Sequence, residues 1–557
     1  MCYLNRSEAC WKLLSFKCII SFTSKSNIMN KVIVVIVLMS CNLSFSQSSK
    51  FSFKLGSEYV LPRKTENLAF FGNETDGIVN LSLKKDELFM FRFDPHTLVQ
   101  TKAKTIELPE YTKNFNSELV ADLGLNYYWL HSDWDKDSER EILYYDKIDV
   151  SSGKLVVSNK KMFSATKISG NVIRYKVDFK YNFNFDAGKN FLLVNYRLVP
   201  EEKSDKKNFD KIGLQVFDTA MNKVWGGEFK MPYTEAVMDN IDFSIDAKGN
   251  AYLLAKVFNS DKRKEKDNET GKPLYHFEVL KFSKGKRDLT HTVVNIGDFF
   301  IQKAAIIENS LHEMVIACTY SKKAKSKTTD GVFLALLDTS GIINKYKNGY
   351  YEFPLDEMKK YESGRYKRSM ERKLDYEIPN LEVRNLLVNQ DGSLFMGFEE
   401  FEIIVNTYVD SKGLPHTTYQ YYYQNIYGAR INSSGKFEWM RKIPKYQVSY
   451  DRPQGTLGYK LINDANGYYF LFLDHKKNLE LAEDEVPKRY FDGYGGQIII
   501  SKIDLQGNVS KDLLFDTRDE DLMIYPSQFN AINKNQFIGR ADIKRGGYKP
   551  LLITIND

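Results

Sequence analysis

Cysteine is nearly missing where it would matter. Of the five cysteines, Cys2, Cys10, Cys18 and Cys41 fall within the first 46 residues, and Cys318 alone lies beyond them. A single thiol forms neither an intramolecular disulfide nor a thiolate metal site, so packing alone must hold the body of the chain. Cys318, in Val315-Ile316-Ala317-Cys318, reads as a small buried core residue. Proline is scarce, 14 in 557 residues, and the 27% of charged residues is interspersed in sign, which excludes long disordered stretches. No apolar run reaches the ~20 residues of a bilayer-spanning helix. Strong charge of one sign is lacking too. Residues 1–46 carry five Lys/Arg and one Glu, leaving the rest at +3 of the total +7. That is too little for a nucleic-acid surface, which needs a concentrated basic stripe. Catalytic signatures are equally thin: there is no Gly-x-Ser-x-Gly, no His-Glu-x-x-His and no glycine-rich phosphate loop, and the seven histidines are scattered.

The N-terminus has the parts of an export signal. Lys31 precedes an apolar run at 32–39, and Ser44 and Ser46 form a small-x-small cleavage site that leaves Gln47 as the mature end. Met29 stands just before it, so residues 1–28 read as an over-extended start and 29–46 as the signal peptide. Leu38-Met39-Ser40-Cys41 offers a second reading, a lipobox with a lipid anchor at Cys41. Either way the expected location is periplasmic, outer-membrane-associated or extracellular, with no transmembrane segment in the mature chain.

What is abundant is aromatic residues, 35 Tyr and 37 Phe, which favour pleated strands. They sit in an internal repeat. One unit is strand, tight polar turn, strand: Phe217-Asp218-Thr219-Ala220-Met221-Asn222-Lys223-Val224-Trp225, Leu337-Asp338-Thr339-Ser340-Gly341-Ile342, Ile431-Asn432-Ser433-Ser434-Gly435-Lys436-Phe437 and Ile503-Asp504-Leu505-Gln506-Gly507-Asn508-Val509. Copies at Asp94 and Asp149 complete the set. A second unit alternates with it, as in Asp246-Ala247-Lys248-Gly249-Asn250 and Asn389-Gln390-Asp391-Gly392-Ser393. Asp or Asn bonds its own turn backbone and Gly or Asn accepts positive φ, so each copy predicts a hairpin. Two hairpins per period of roughly 50–70 residues make four antiparallel strands, a propeller blade.

Seven complete units begin near residues 64, 116, 172, 236, 298, 379 and 455. A last partial unit from 522 to 557 holds three strands, and residues 51–61 precede the first unit without a partner. The expectation is an all-β fold: residues 47–557 form a single eight-bladed β-propeller, closed by an N-terminal strand that removes the open sheet edge. Seven blades, or an array of β-sandwiches, are the alternatives. Residues 355–378, dense in charge and helix formers, predict one helical inter-blade insertion with a solvated surface.

The spacing of Asp218 to Trp225, and less fully of Asn432 to Trp439, resembles the repeat of quinoprotein-type propellers and of the related propeller lipoprotein of bacterial outer-membrane protein assembly. That resemblance implies an eight-bladed extracytoplasmic propeller. It covers two of eight units, and Asp149, Asp338 and Asp504 keep the turn without the Trp, so it implies architecture and no quinone-binding residues.

Candidate sites follow from residue chemistry. Asp133, Asp135 and Asp137 alternate in a loop, as oxygen-rich Ca²⁺ sites require, though Ser138 replaces the expected Gly and Lys136 and Arg140 dilute the field. A solvated acidic loop is the competing reading. Tyr419, Tyr421, Tyr422 and Tyr423 offer amphipathic contact area for a sugar or protein, and strand preference explains them equally well. Glu399, Glu400 and Glu402 include possible glycosidase acids, but pairing between blades is not readable from sequence. In a blade of four strands, A to D in chain order, the A–B and C–D turns fall on one face, and the B–C loops and inter-blade links on the other. Nearly every insertion is of the second kind: 201–210, 259–273, 355–373, 406–418 and 475–496, with the Asp133 loop. This long-loop face, with His416, Tyr490 and Tyr494 beside the Tyr run, is the expected binding surface for an envelope protein or glycan, with no cofactor expected apart from the Ca²⁺ candidate. A carbohydrate-active or quinoprotein-type propeller enzyme is the alternative.

Overall fold

The computed structural model describes residues 50–556 except 174–175, 179, 286–288, 310–311, 325–327, 346–348, 373–377, 452–453 and 545. The signal at 29–46, Cys41 and residues 1–28 lie outside the described residues.

The chain is nearly all β. Among the described residues there are eight sheets of four or more strands, antiparallel but for one short parallel pairing of Gln447 and Val448 with Tyr490–Phe491. They are built from strands that follow chain order apart from that pairing, the last sheet, and Thr328–Thr329, which pairs outside them with Ile378–Pro379. Sheet 1 spans 66–107, sheet 2 116–165, sheet 3 181–234, sheet 4 238–294, sheet 5 300–352, sheet 6 381–450 and sheet 7 460–516. Sheet 8 combines strands from 522–555 with Phe51–Leu55, which pairs antiparallel with the last strand from Phe51↔Ile555 to Leu55↔Leu551. Tyr59 continues the contact by bridging Tyr548. Six of the eight first strands begin within about two residues of the expected unit starts. The seventh unit begins at Lys460–Asp464 instead of 455. The third begins at Tyr181–Phe185, because Asn171–Ile173 and Lys176–Asp178 pair with each other as a separate two-stranded sheet.

The repeat turn forms as its chemistry dictates. Asp218 Oδ1 accepts the backbone N–H groups of Ala220 and Asn222 at 2.9 and 2.8 Å. Asp338 does the same for Ser340 and Ile342, both at 2.9 Å, and Asp504 for Gln506 and Asn508 at 2.9 and 2.8 Å. The fourth position takes positive φ: +88° at Gly341, +79° at Gly435 and +85° at Gly507. In the Asp218 copy Met221 occupies it at +61°. Both tryptophans of the repeat reach across to the following sheet. Trp225 Nε1 donates to Gly249 O at 2.7 Å and Trp439 Nε1 to Leu505 O at 3.1 Å.

The core lies between sheets. Eight apolar clusters each join two neighbouring sheets: 1 with 2, 2 with 3, and so on to 7 with 8. The eighth joins sheet 8 to sheet 1 through Ile532, Ile538, Leu552, Phe70, Ile78 and Phe93. Cys318 is buried in the cluster between sheets 4 and 5, where burial pushes its thiol pKa up. Four-stranded antiparallel sheets repeated in chain order, each packed on the next, are the blades of a β-propeller.

The insertion between sheets 5 and 6 is two short helices rather than one, α1 (Leu355–Lys359) and α2 (Gly364–Arg372); residues 373–377 of the expected span are outside the described ones. The helices are only partly solvated. Met358 and Met370 are buried, and Lys442 of sheet 6 donates its backbone N–H to Glu357 Oε1 at 2.8 Å and its ammonium to Met358 O at 3.1 Å.

Candidate functional site

Sheet 6 departs from the other seven. Its two central strands, Leu394–Val409 and Pro415–Ile431, run 16 and 17 residues, about twice the length of the central strands of sheet 7. The long insertion at 406–418 is strand on both arms, with a turn at 410–414. β-branched and aromatic residues facing one another explain the extended arms, since such cross-strand pairs stabilise a ladder. A register shift between Glu399 and Phe401 marks where the hairpin leaves the blade, and bulges bend strands in this way. Beyond it lie about nine paired residues on each arm, ~25–30 Å of ribbon.

Pairing sorts the ribbon into two faces. Ile403 opposite Tyr421 and Val405 opposite Tyr419 share one; Ile404 opposite Gln420 and Tyr408 opposite His416 share the other. Both faces are open: Ile403, Val405, Tyr408, Val409, Leu414 and Tyr419 are all exposed, Val409 at 65%. His416 bonds Asp410 at 2.8 Å and stacks on Tyr408 at 5.4 Å. The second arm gains further strands at its base. Gln447–Tyr450 pairs with 420–423, and Tyr490–Phe491 adds in parallel to Gln447 and Val448, so the loop 475–496 is joined to the ribbon.

Buried charge anchors this base. Lys445, fully buried, donates to Glu399 Oε1 at 2.8 Å, Gln447 Oε1 at 3.0 Å and Tyr423 O at 3.1 Å. Arg384 Nε donates to the other Glu399 oxygen at 3.0 Å. Burial lowers the Lys445 pKa against the opposing pull of Glu399. Gln447 in turn ties to sheet 7, donating to Leu473 O at 2.7 Å and accepting from Gly458 N at 2.7 Å. Glu400 is also buried, bonded to Tyr427 and, at 3.2 Å, to Asn425. Glu399 and Glu400 therefore brace the hairpin root through these bonds.

The candidate tyrosines divide accordingly. Tyr419 and Tyr421 lie on one face of the ribbon. Tyr422 faces the other way, its hydroxyl donating to Gln420 at 2.8 Å. Tyr423 is half-buried at the root beside Phe401 and the Arg384 guanidinium. Tyr490 is a correction to the surface reading: it is buried, its ring against Gly496 and its hydroxyl donating to Gly493 O at 3.0 Å. Tyr494, four residues on, is 44% exposed.

The aspartates at 133, 135 and 137 do not converge. Asp133 is buried and turned to Thr112, accepting its N–H at 2.8 Å and hydroxyl at 2.5 Å. Asp135 instead accepts from Ser138 Oγ at 2.6 Å and Asp137 N at 3.0 Å. Asp133 is thus held by Thr112 and Asp135 by its own turn, and no group of three His, Cys, Asp or Glu suited to a metal occurs among the described residues.

A cavity of about 460 Å³ opens where first strands meet, lined by Lys189, Lys460, Lys534, Asp122, Asn463 and Asn533 among others. Lys189 pairs with Asp122 at 2.7 Å.

No protein-family model matches the sequence, and no curated protein matches it. Among solved structures, the chain is similar to the WD40 domain of SCAP from fission yeast at 8% identity and a TM-score of 0.36, covering 92% of this chain and 96% of that one. An uncharacterized protein from Listeria monocytogenes matches at 10% identity and a TM-score of 0.34, over 77% and 92%. Pyrococcus horikoshii acylaminoacyl peptidase matches at 10% and 0.34, over 86% of this chain but 57% of the peptidase. At these identities and scores, none bears on what the chain does.

Proposed function

We propose that the protein is an exported cell-envelope β-propeller, a single closed ring of eight blades that binds a protein or glycan partner through its long-loop face. Eight sheets, eight intersheet clusters and the pairing of Phe51–Leu55 with the last strand support the closed ring. The signal-like segment at 29–46 supports export. The observation that carries the binding reading is the hairpin of sheet 6: a ribbon bearing exposed Ile403, Val405, Tyr408 and Tyr419, on a root braced by buried ion pairs. Large exposed apolar area on a rigid support marks interaction sites. The sides of the propeller agree. Long B–C connections at 197–209, 258–275, 321–331 and 474–497 share the hairpin's side, while most turns on the other side are tight. The resemblance to quinoprotein-type and outer-membrane-assembly propellers, through Asp218–Trp225 and Asn432–Trp439, fits this setting and supplies no catalytic group.

The test is affinity capture from envelope fractions with three proteins: the parent, a variant in which 404–419 is replaced by a short turn, and a variant with several residues changed in the opposite turns at 247–249 and 505–507. Loss of the captured partner in the hairpin variant alone is the expected result. Loss in the turn variant alone refutes the face assignment.

A further inference from the structure

The long-loop side also holds a small cationic cavity, about 180 Å³, formed where the loop 475–496 meets the link out of sheet 7. His475, Lys476, Arg489 and Arg518 line it, with Tyr494 and the backbone of Gly495 and Gly496; Asp516 is the one carboxylate in its wall. Neither arginine nor Lys476 has an ion-pair partner among the described residues. Arg489 rests on the Tyr446 ring at 5.1 Å. Asp516 Oδ1 is engaged by the Arg518 backbone N–H at 3.0 Å. Concentrated, unpaired cations repel one another, and an anion among them relieves that cost. The surroundings of His475 point the same way: burial and then the charges of Lys477, Lys476, Arg518 and Lys488 hold its pKa down, every one of those charges positive. Its Nδ1 accepts the Lys477 N–H at 3.1 Å, so in the neutral ring Nε2 carries the proton as a further donor.

The cavity is shaped for Arg518. Gly495 and Gly496 take φ of +94° and +105°. A Cβ at 495 would stand 2.5 Å from Arg518 Nε, and one at 496 would stand 2.5 Å from the Tyr490 ring. The two glycines thus let the guanidinium lie across the loop, and Thr517 fastens the crossing, donating N–H and Oγ1 to Gly496 O at 3.0 and 2.9 Å. Beside the cations stand exposed aromatic rings, Tyr494 and Phe491, the latter stacked on Tyr450 at 6.4 Å.

We propose that this cavity binds an oxyanion group carried on a sugar, the arginines taking the oxyanion and Tyr494 the sugar face; the assignment rests on the glycan branch of the reading above. Guanidinium groups match the planar geometry of carboxylate, phosphate and sulfate, and tyrosine offers an apolar ring with a polar edge. A volume of about 180 Å³ equals that of about six waters, enough for the anionic group with part of a ring.

Calorimetric titration of the purified full chain with glucose 6-phosphate, inorganic phosphate and glucose tests this. Glucose 6-phosphate binds most tightly, phosphate less so and glucose not measurably, and added salt weakens the first two. Loss of a charge-assisted contact in Arg518→Gln lowers the affinity about tenfold or more. Arg489→Gln is the companion variant should the first fail to fold. Tyr494→Ala reduces glucose 6-phosphate binding to the level of phosphate. Glucose binding as well as its phosphate, an unchanged affinity in a folded arginine variant, or no binding of any probe at millimolar concentration overturns the assignment. Phosphate binding as tightly as glucose 6-phosphate overturns its sugar half. The variant lacking 404–419 retains this binding, so failure here is distinguishable from failure of partner capture by the hairpin.

Discussion

Substituting Glu399 by Gln in the hairpin root leaves the Lys445 ammonium fully buried without its counter-charge, beside the neutral acceptors Gln447 Oε1 and Tyr423 O at 3.0 and 3.1 Å. The amide keeps one acceptor oxygen, enough for Lys445 or for Arg384 but not for both. Breaking a buried pair from one side costs about 3–5 kcal/mol, whereas replacing the whole pair by uncharged groups is often near neutral. Glu399→Gln should therefore destabilise by about 3–5 kcal/mol. The double variant Glu399→Gln/Lys445→Met should recover at least about 2 kcal/mol of that, a coupling of the size seen between residues in one network. Burial already lowers the Lys445 pKa, and Glu399 is the main charge opposing this. Without Glu399 the folded-state value drops further below the unfolded one. The folded variant then binds fewer protons than the unfolded chain across that window, so raising the pH stabilises it relative to the parent. Urea denaturation of parent, singles and double at neutral and alkaline pH measures each quantity. Limited proteolysis reports whether the ribbon loosens first. A Glu399→Gln protein within about 1 kcal/mol of the parent, and uncoupled from Lys445→Met, refutes the claim that this network carries the hairpin.

Lys511 is pushed down by burial to about 8, and its ammonium donates to Asn478 O at 3.0 Å, with no carboxylate partner among the described residues. Its folded value lies below the unfolded one near 10.4, so the penalty is complete below pH 8 and fades as pH rises toward 10. Lys511→Met should then gain up to about 3 kcal/mol at pH 7 and little at pH 10, read by denaturation at both. Phe51, 1% exposed and edge-on to Tyr469 at 5.9 Å, joins the N-terminal strand to the core. Phe51→Ala should cost about 3–5 kcal/mol, and an unchanged melting temperature counts against closure by this strand. Intact mass of the native protein should place its start at Gln47 or at a lipidated Cys41; retention of Met29 refutes export. Calorimetric titration with Ca²⁺ should give no heat attributable to Asp133, and Asp133→Asn should leave any calcium response unchanged, because that carboxylate is already held by Thr112.

The sequence by itself determined the repeat. Asp218, Asp338 and Asp504 bond N–H groups two and four residues away, and glycine supplies the positive φ, so each turn is written within five residues. Strand patterning is equally local, which is why the units and the unpaired partner for the last sheet were legible. The lone N-terminal strand and the C-terminal unit, whose four strands fill three positions of the last sheet, pair across 504 positions at Ser52 and Asn556, and the pattern of three strands legible at 522–557 already left a place for a fourth. Tertiary structure decided the rest. An alternating Tyr run says that a ribbon forms, but not that Tyr423 lies half-buried at its root or that Tyr490 packs inward on Gly496. Carboxylates at alternate positions looked like a cation site until Thr112, 21 residues before Asp133, took one of them. Glu399 and Lys445 are 46 positions apart, and Arg489 and Arg518 come from different connections of sheet 7. Such groupings carry no periodic signal, because separate segments meet only on folding: the packed chain gives the buried Lys445 its partner and sets both arginines around one cavity.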